Sequence, residues 1–167
     1  KISGLRPSHI ESLTSKLIEA GVKLDIGKNY VKVEDVGKYK AIDIKTVVYP
    51  GFPTDMQSLI LAMQTISKGI SIIHETVFEA RFKVVQELLK MGAKINVSER
   101  YATIVGVGKL KPASVSCPDL RGGAGLVLAG LVAKGETTID EIFHIERGYY
   151  NLDEKFKSLG ANIEKVE

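Results

Sequence analysis

The chain copies itself. Leu17-Ile18-Glu19-Ala20-Gly21-Val22-Lys23-Leu24 returns as Leu88-Leu89-Lys90-Met91-Gly92-Ala93-Lys94-Ile95, and again as Phe156-Lys157-Ser158-Leu159-Gly160-Ala161-Asn162-Ile163. The three glycines are 71 and then 68 residues apart. A second pattern interleaves with the first. Asp55-Met56-Gln57 leads to Ser67-Lys68-Gly69 and on to Phe78-Glu79-Ala80-Arg81; Asp119-Leu120-Arg121 leads likewise to Ala133-Lys134-Gly135 and Ile145-Glu146-Arg147. A unit of this length exceeds solenoid periods of roughly 20–50 residues and matches a small α/β subdomain. The chain opens halfway through one unit and stops halfway through another. Lys1 is preceded by neither an initiator Met nor a signal peptide, and the expectation is a piece of a larger protein.

Within each unit the pattern reads strand–helix–strand–helix–strand–strand. Ser8-x-x-Glu11 and Thr54-x-x-Gln57 have the form of capping boxes that start helices. Glycines 21, 69 and 92 are placed to stop them, since glycine adopts the left-handed C′ conformation without strain. Apolar–polar alternation predicts hairpins over 22–33 and 93–107, and strands over 41–48, 70–73, 115–117, 137–140 and 161–166. Helical spacing predicts helices over 81–91, 121–133 and 150–159. The fold class that follows is α/β, in which βαβαββ repeats pack with helices inward and sheets outward in quasi-threefold symmetry. The apolar helices over 59–66 and 126–133 should be the most buried elements. Residues 1–167 read as a single domain.

Composition narrows the function classes. With 44% hydrophobic and 26% charged residues, the chain is an ordinary globular one. A net charge of +3, spread without a basic stripe, argues against nucleic acid. No apolar run nears the ~18–20 residues needed to span a membrane. A single cysteine, Cys117, suits a reducing compartment. It has no neighbouring His and reads as a small core residue. His9, His74 and His144 are too scattered for metal-ligand spacing, and no cofactor motif is present.

Chemistry concentrates at the repeated positions. Asp55 and Asp119 stand at helix starts, where an acid complements the dipole or serves as a base. Asp119-Leu120-Arg121-Gly122-Gly123-Ala124-Gly125 reads as an anion site of free amides, a guanidinium and glycines that admit close approach. Pro50-Gly51-Phe52-Pro53-Thr54-Asp55 is a stiff loop that would position a base. His144-Ile145-Glu146-Arg147-Gly148-Tyr149 reads as a polar loop with a second anion-binding arginine, Arg147. Arg81, at the equivalent position, reads as an ordinary solvated loop residue.

These segments carry a resemblance. Pro53-Thr54-Asp55-Met56-Gln57, Glu75-Thr76-Val77-Phe78-Glu79 with Arg81-Phe82, Asp119-Leu120-Arg121, the run 126–130 and Arg147-Gly148-Tyr149 closely resemble the enolpyruvyl transferases, in the branch that uses UDP-N-acetylglucosamine. The similarity covers the whole chain. It implies an inside-out α/β barrel, most of the C-terminal lobe of a two-lobe cytoplasmic enzyme. The implied reaction moves the enolpyruvyl group of phosphoenolpyruvate to the sugar 3-hydroxyl, with no cofactor, as the first committed step of peptidoglycan synthesis.

The resemblance also implies site roles. Asp55 matches the general base at the sugar 3-hydroxyl, and Val77 matches a position contacting the UDP-sugar. Arg121 and Arg147 match arginines that hold phosphoenolpyruvate, and Asp119 matches an active-site acid. The loop bearing the family's catalytic cysteine belongs to the missing N-terminal lobe, so Cys117 is not that residue, and this chain alone should be inactive. The sibling enzyme using shikimate 3-phosphate and a non-catalytic module of the same fold are the alternatives.

Overall fold

The computed structural model describes residues 1–34 and 38–166. In chain order the elements are β1 (Ile2–Ser3), α1 (Glu11–Glu19), β2 (Lys23–Ile26), β3 (Tyr30–Glu34), β4 (Ile44–Lys45), α2 (Gln57–Thr65), β5 (Ile70–His74), α3 (Val85–Lys90), β6 (Lys94–Ser98), β7 (Tyr101–Val105), β8 (Ser114–Ser116), α4 (Leu120–Val132), β9 (Thr138–Asp140), α5 (Phe143–Glu146) and α6 (Leu152–Ser158). Short 3-10 turns precede α1, α2 and α3 at Pro7–Ile10, Thr54–Met56 and Arg81–Val84.

One βαβαββ unit is complete. Strands β4 and β5 are parallel across α2; α3 then leads into the β6–β7 hairpin, and β7 pairs antiparallel with β5. The sheet order is β4-β5-β7-β6. Half-units flank it. In the first, α1 leads into the β2–β3 hairpin, with β1 added beside β3; in the other, β8 and β9 are parallel across α4.

The sequence repeat has a local cause that the structure makes explicit. After α1, the Gly21 N–H donates to the Ile18 carbonyl and the Val22 N–H to Leu17. After α3, Gly92 donates to Leu89 and Ala93 to Leu88; after α6, Gly160 donates to Lys157 and Ala161 to Phe156. Each is a Schellman motif, whose C′ residue must be left-handed. The three glycines have φ of +94°, +82° and +91°. An apolar residue recurs at C3 and at C″ in each copy, the pair that such a motif brings together.

Several boundaries differ from the sequence reading. Neither proposed capping box forms: the turn before α1 is flanked by Arg6 and begins with Pro7, and Thr54 spends its hydroxyl elsewhere. The strand expected over 41–48 shrinks to Ile44–Lys45, because the Val47 N–H turns back to the Phe52 carbonyl. Residues 161–166 form no strand, since no neighbouring strand among the described residues offers them a ladder. Phe143–Glu146, read as part of a loop, is a short helix.

The core lies between α2 and α4. Leu61 and Leu126 are fully buried there, with Ile73, Leu88, Met91 and Ile104 around them. The two helices approach so closely that a Cβ on Gly125 would stand 2.8 Å from the Ser58 carbonyl oxygen. A Cβ on Gly123 would stand 2.1 Å from Cys117 Sγ. Packing, not anion access, therefore explains the glycine run of α4. Gly125→Ala sets about 1 kcal/mol of helix propensity gained against about 1–3 kcal/mol of overpacking. Backbone cannot swing aside, so the clash should win and Tm should fall, by about 2–4 °C for each kcal/mol of net loss. Gly130→Ala is the control, as its Cβ would meet Thr137 at an ordinary 3.5 Å. Thermal unfolding checks both, and a Gly125→Ala protein as stable as its parent would refute the close helix contact.

Candidate active site

Close packing of α2 and α4 places their first turns side by side. Asp55 sits in the 3-10 turn leading into α2, and Arg121 is the second residue of α4. The Arg121 Nη2 donates to Asp55 Oδ2 at 2.7 Å, and its Nη1 donates to the Tyr149 hydroxyl at 2.9 Å. The other carboxylate oxygen, Oδ1, accepts from Arg81 Nη2 at 3.2 Å. Two guanidinium groups thus divide the two oxygens of one carboxylate. The Arg121 hydrogen bond first of all, and the charges of Arg121 and Arg81 with it, outweigh partial burial and hold the Asp55 carboxyl below its ordinary value. The same bond pushes Arg121 up.

Asp119 performs a different task. Its Oδ1 accepts from the backbone amides of Arg121 and Gly122 at 2.9 and 2.8 Å, making it the N-cap of α4. The free amides expected for an external anion are therefore occupied by Asp119 itself. The cap fixes the backbone from which Arg121 reaches Asp55, and Asp119 enters the cluster through that residue.

The two repeat-related arginines part company. Arg147 ends α5, is exposed, and makes no side-chain hydrogen bond or ion pair among the described residues. Arg81 is 7% exposed and belongs to the cluster. Reading it as a solvated loop residue was wrong. Its Nε donates to Thr54 Oγ1 at 3.2 Å, and its guanidinium lies 4.3 Å from the Phe78 ring centroid.

Behind Arg81 stands a residue that the patterns gave no role of its own. Glu75 is 1% exposed at the end of β5. Its Oε1 accepts from Thr46 Oγ1 at 2.7 Å and from the Val77 and Phe78 amides, both at 2.9 Å. Its Oε2 accepts from Thr54 Oγ1 at 3.0 Å. Four donors converge on it, so both carboxylate oxygens are satisfied. Val77 itself is exposed in this loop, with its amide fixed by Glu75. The signal in the sequence was an acid directly following the Ile-rich strand 70–74, where a carboxylate that becomes buried is costly unless satisfied.

Cys117 is 2% exposed and packs with Val127 and Ile145. Burial pushes its thiol up to about 11. It is a core residue, as its sequence context implied.

An α/β chain of βαβαββ units, with paired helices aiming acid and arginine at one end, defines the enolpyruvyl transferase class. The sequence profile of the EPSP synthase (3-phosphoshikimate 1-carboxyvinyltransferase) family matches residues 1–156, and the chain belongs to that family. It is 53% identical over 155 residues to a UDP-N-acetylglucosamine 1-carboxyvinyltransferase of Caldanaerobacter subterraneus subsp. tengcongensis, covering 93% of this chain and 37% of that protein. A protein of the same name from Carboxydothermus hydrogenoformans is 50% identical over 165 residues, covering 99% and 39%. The chain thus spans well under half the length of these two relatives.

Among solved structures, the enolpyruvyl transferase NikO from Streptomyces tendae superposes with a TM-score of 0.85 at 28% identity, covering 93% of this chain and 36% of that one. EPSP synthase from Acinetobacter baumannii shares the fold, with a TM-score of 0.61 at 20% identity over 82% of this chain and 34% of its own. No helix among the described residues is long and apolar enough to cross a membrane.

At pH 8 about one Cys117 in a thousand would be thiolate, and it lies behind packed side chains. Thiol reagents should leave the folded protein unlabelled and react fully once it is denatured. Rapid labelling of folded protein, followed by absorbance, would contradict the packing assignment.

Proposed function

We propose that this chain is most of the C-terminal lobe of a two-lobe cytoplasmic transferase. The enzyme moves the enolpyruvyl group of phosphoenolpyruvate to the 3-hydroxyl of UDP-N-acetylglucosamine and releases phosphate. That reaction opens peptidoglycan synthesis. The observation that carries the reading is Asp55, a half-exposed carboxylate held by Arg121 at 2.7 Å. Support for the nucleotide-sugar acceptor comes from relatives of about half identity that bear that activity in their names.

The reaction needs a carboxylate to take the sugar hydroxyl proton as the oxygen attacks C2 of phosphoenolpyruvate. A proton is added at C3, giving a tetrahedral intermediate. Loss of phosphate from C2 and of a proton from C3 completes the transfer. In the free site Arg121 makes Asp55 a weak base, because it stabilises the charged form. An incoming phosphoenolpyruvate offers Arg121 a competing anion. As the guanidinium turns to it, the largest influence lowering Asp55 is withdrawn, and Asp55 Oδ2 is freed beside the hydroxyl. Arg147, exposed on the same chain, is available as a second cation for the same anion. The groups of the other lobe must join these by closure.

Two outcomes follow. The chain by itself should give no phosphate release from the two substrates, because groups acting as a unit fail together; turnover dependent on both would refute the need for another lobe. In the intact two-lobe enzyme, Asp55→Asn should lower kcat by about 10²–10⁴-fold with a much smaller change in KM. Steady-state kinetics decide this, and a kcat within a few-fold of the parent would reduce Asp55 to an electrostatic partner of the arginines.

A further inference from the structure

The two oxygens of Asp55 are held by unlike arginines. Arg121 keeps 27% of its side chain exposed and can turn toward an anion. Arg81 keeps only 8% exposed and cannot turn freely. Its Nε is committed to Thr54, its Nη2 to Asp55 Oδ1, and its face to the Phe78 ring. Thr54 has one proton, and it points to Glu75 Oε2. The hydrogen bonds therefore run in one direction, from Arg81 through the Thr54 hydroxyl to the buried Glu75. The same carboxylate fixes the amides of Val77 and Phe78.

We propose that Glu75, Thr54 and Arg81 are positioning residues, a relay that pins Asp55 Oδ1 so that Oδ2 alone is presented to the acceptor hydroxyl. The proposal rests on the reading of Asp55 as the base. When Arg121 leaves for the incoming anion, an unsupported carboxylate would rotate about its terminal bond, a broad and soft torsion. Arg81 opposes this rotation through a two-pronged contact that lysine cannot reproduce. Glu75 ties the arrangement to the Val77 loop, so the base and the loop beside it share one buried anchor. Burial of Glu75 and Arg81 strengthens the inner links, since hydrogen bonds to charged groups gain in a low-dielectric setting.

Charge and geometry can be separated by choice of substitution. Arg81→Lys keeps the charge and loses the fork. Arg81→Gln loses the charge. Thr54→Val removes the connecting hydroxyl at constant shape, and Thr54→Ser restores it. The charged groups facing Asp55 are Arg81, from the turn before α3, and Arg121, from α4; Tyr149, after α5, touches it only through Arg121.

The test is steady-state kinetics of the intact two-lobe enzyme with UDP-N-acetylglucosamine and phosphoenolpyruvate. Arg81→Lys and Thr54→Val should lower kcat by about ten- to a hundredfold, the scale of a misplaced reacting group, with the nucleotide-sugar KM changed by less than about threefold. Thr54→Ser should recover kcat to near the parent value. Asp55 must be ionised to act, and Arg81 helps keep it so. Arg81→Gln should therefore move the acid limb of the pH profile of kcat/KM to higher pH, whereas Arg81→Lys should leave that limb in place.

Folded Arg81→Lys and Thr54→Val proteins with kcat within twofold of the parent, while Asp55→Asn is inactive, would overturn the relay and leave the base assignment standing. A fully active Asp55→Asn would instead remove the reading on which the relay rests. Should Arg81→Gln not fold, the contrast between Thr54→Val and Thr54→Ser decides: equal kcat values for the two would sink the proposal.

Discussion

The close approach of α2 and α4 is the contact on which the rest of the molecule depends. Gly125 lets the backbone of one helix reach the backbone of the other at Ser58. With a side chain at that position the helices would have to shift apart, because its Cβ would stand only 2.8 Å from the Ser58 carbonyl oxygen. Asp55 in the turn leading into α2 and Arg121 in the first turn of α4 meet at 2.7 Å, a distance that depends on how closely the helices stand. A packing decision in the core thus sets the distance between two charged groups at the surface. Both helices point their positive ends toward the same place, which favours the negative charge of Asp55 and of any anionic ligand.

Electrostatics at that place is arranged as a gradient of mobility. Glu75 and Arg81 are buried and committed to their partners, whereas Asp55 is half exposed and Arg121 partly exposed. The immobile members set geometry. In the proposed reaction the more exposed ones exchange partners when a substrate arrives, without leaving an unpaired buried charge, which would be costly. Asp119 contributes to the same order, because capping α4 fixes where the Arg121 side chain begins. A depressed Asp55 in the free site is compatible with its proposed role as a base: the partner that lowers it first is also the partner a phosphate ester would draw away.

Most of the fold was legible in the sequence because its repeats are local devices. A Schellman motif is set by a handful of adjacent residues, so Gly21, Gly92 and Gly160 announce three helix ends wherever they lie in space. Hairpins 23–34 and 94–105 follow from alternation and turn residues. Local rules failed where a long-range partner competed. Thr54 looked like a helix cap and was taken by Glu75 and Arg81, residues more than twenty positions away. The segment after α6 alternates like a strand but has no described neighbour to pair with.

The sequence by itself determined the βαβαββ grammar, the buried character of Cys117, and the identity of Asp55, Asp119 and Arg121 as residues at helix starts. These depend on propensity, periodicity and capping, which act over a few residues. Only the tertiary structure decided which arginine meets Asp55. Arg81 and Arg147 occupy matching places in the repeat, yet one is buried against Thr54 and Phe78 and the other faces solvent. The glycines of α4 likewise looked like room for a ligand and proved to be room for another helix. Both outcomes depend on contacts between segments distant in the chain, and burial, which sets the strength of a charge–charge contact, exists only once those segments have packed.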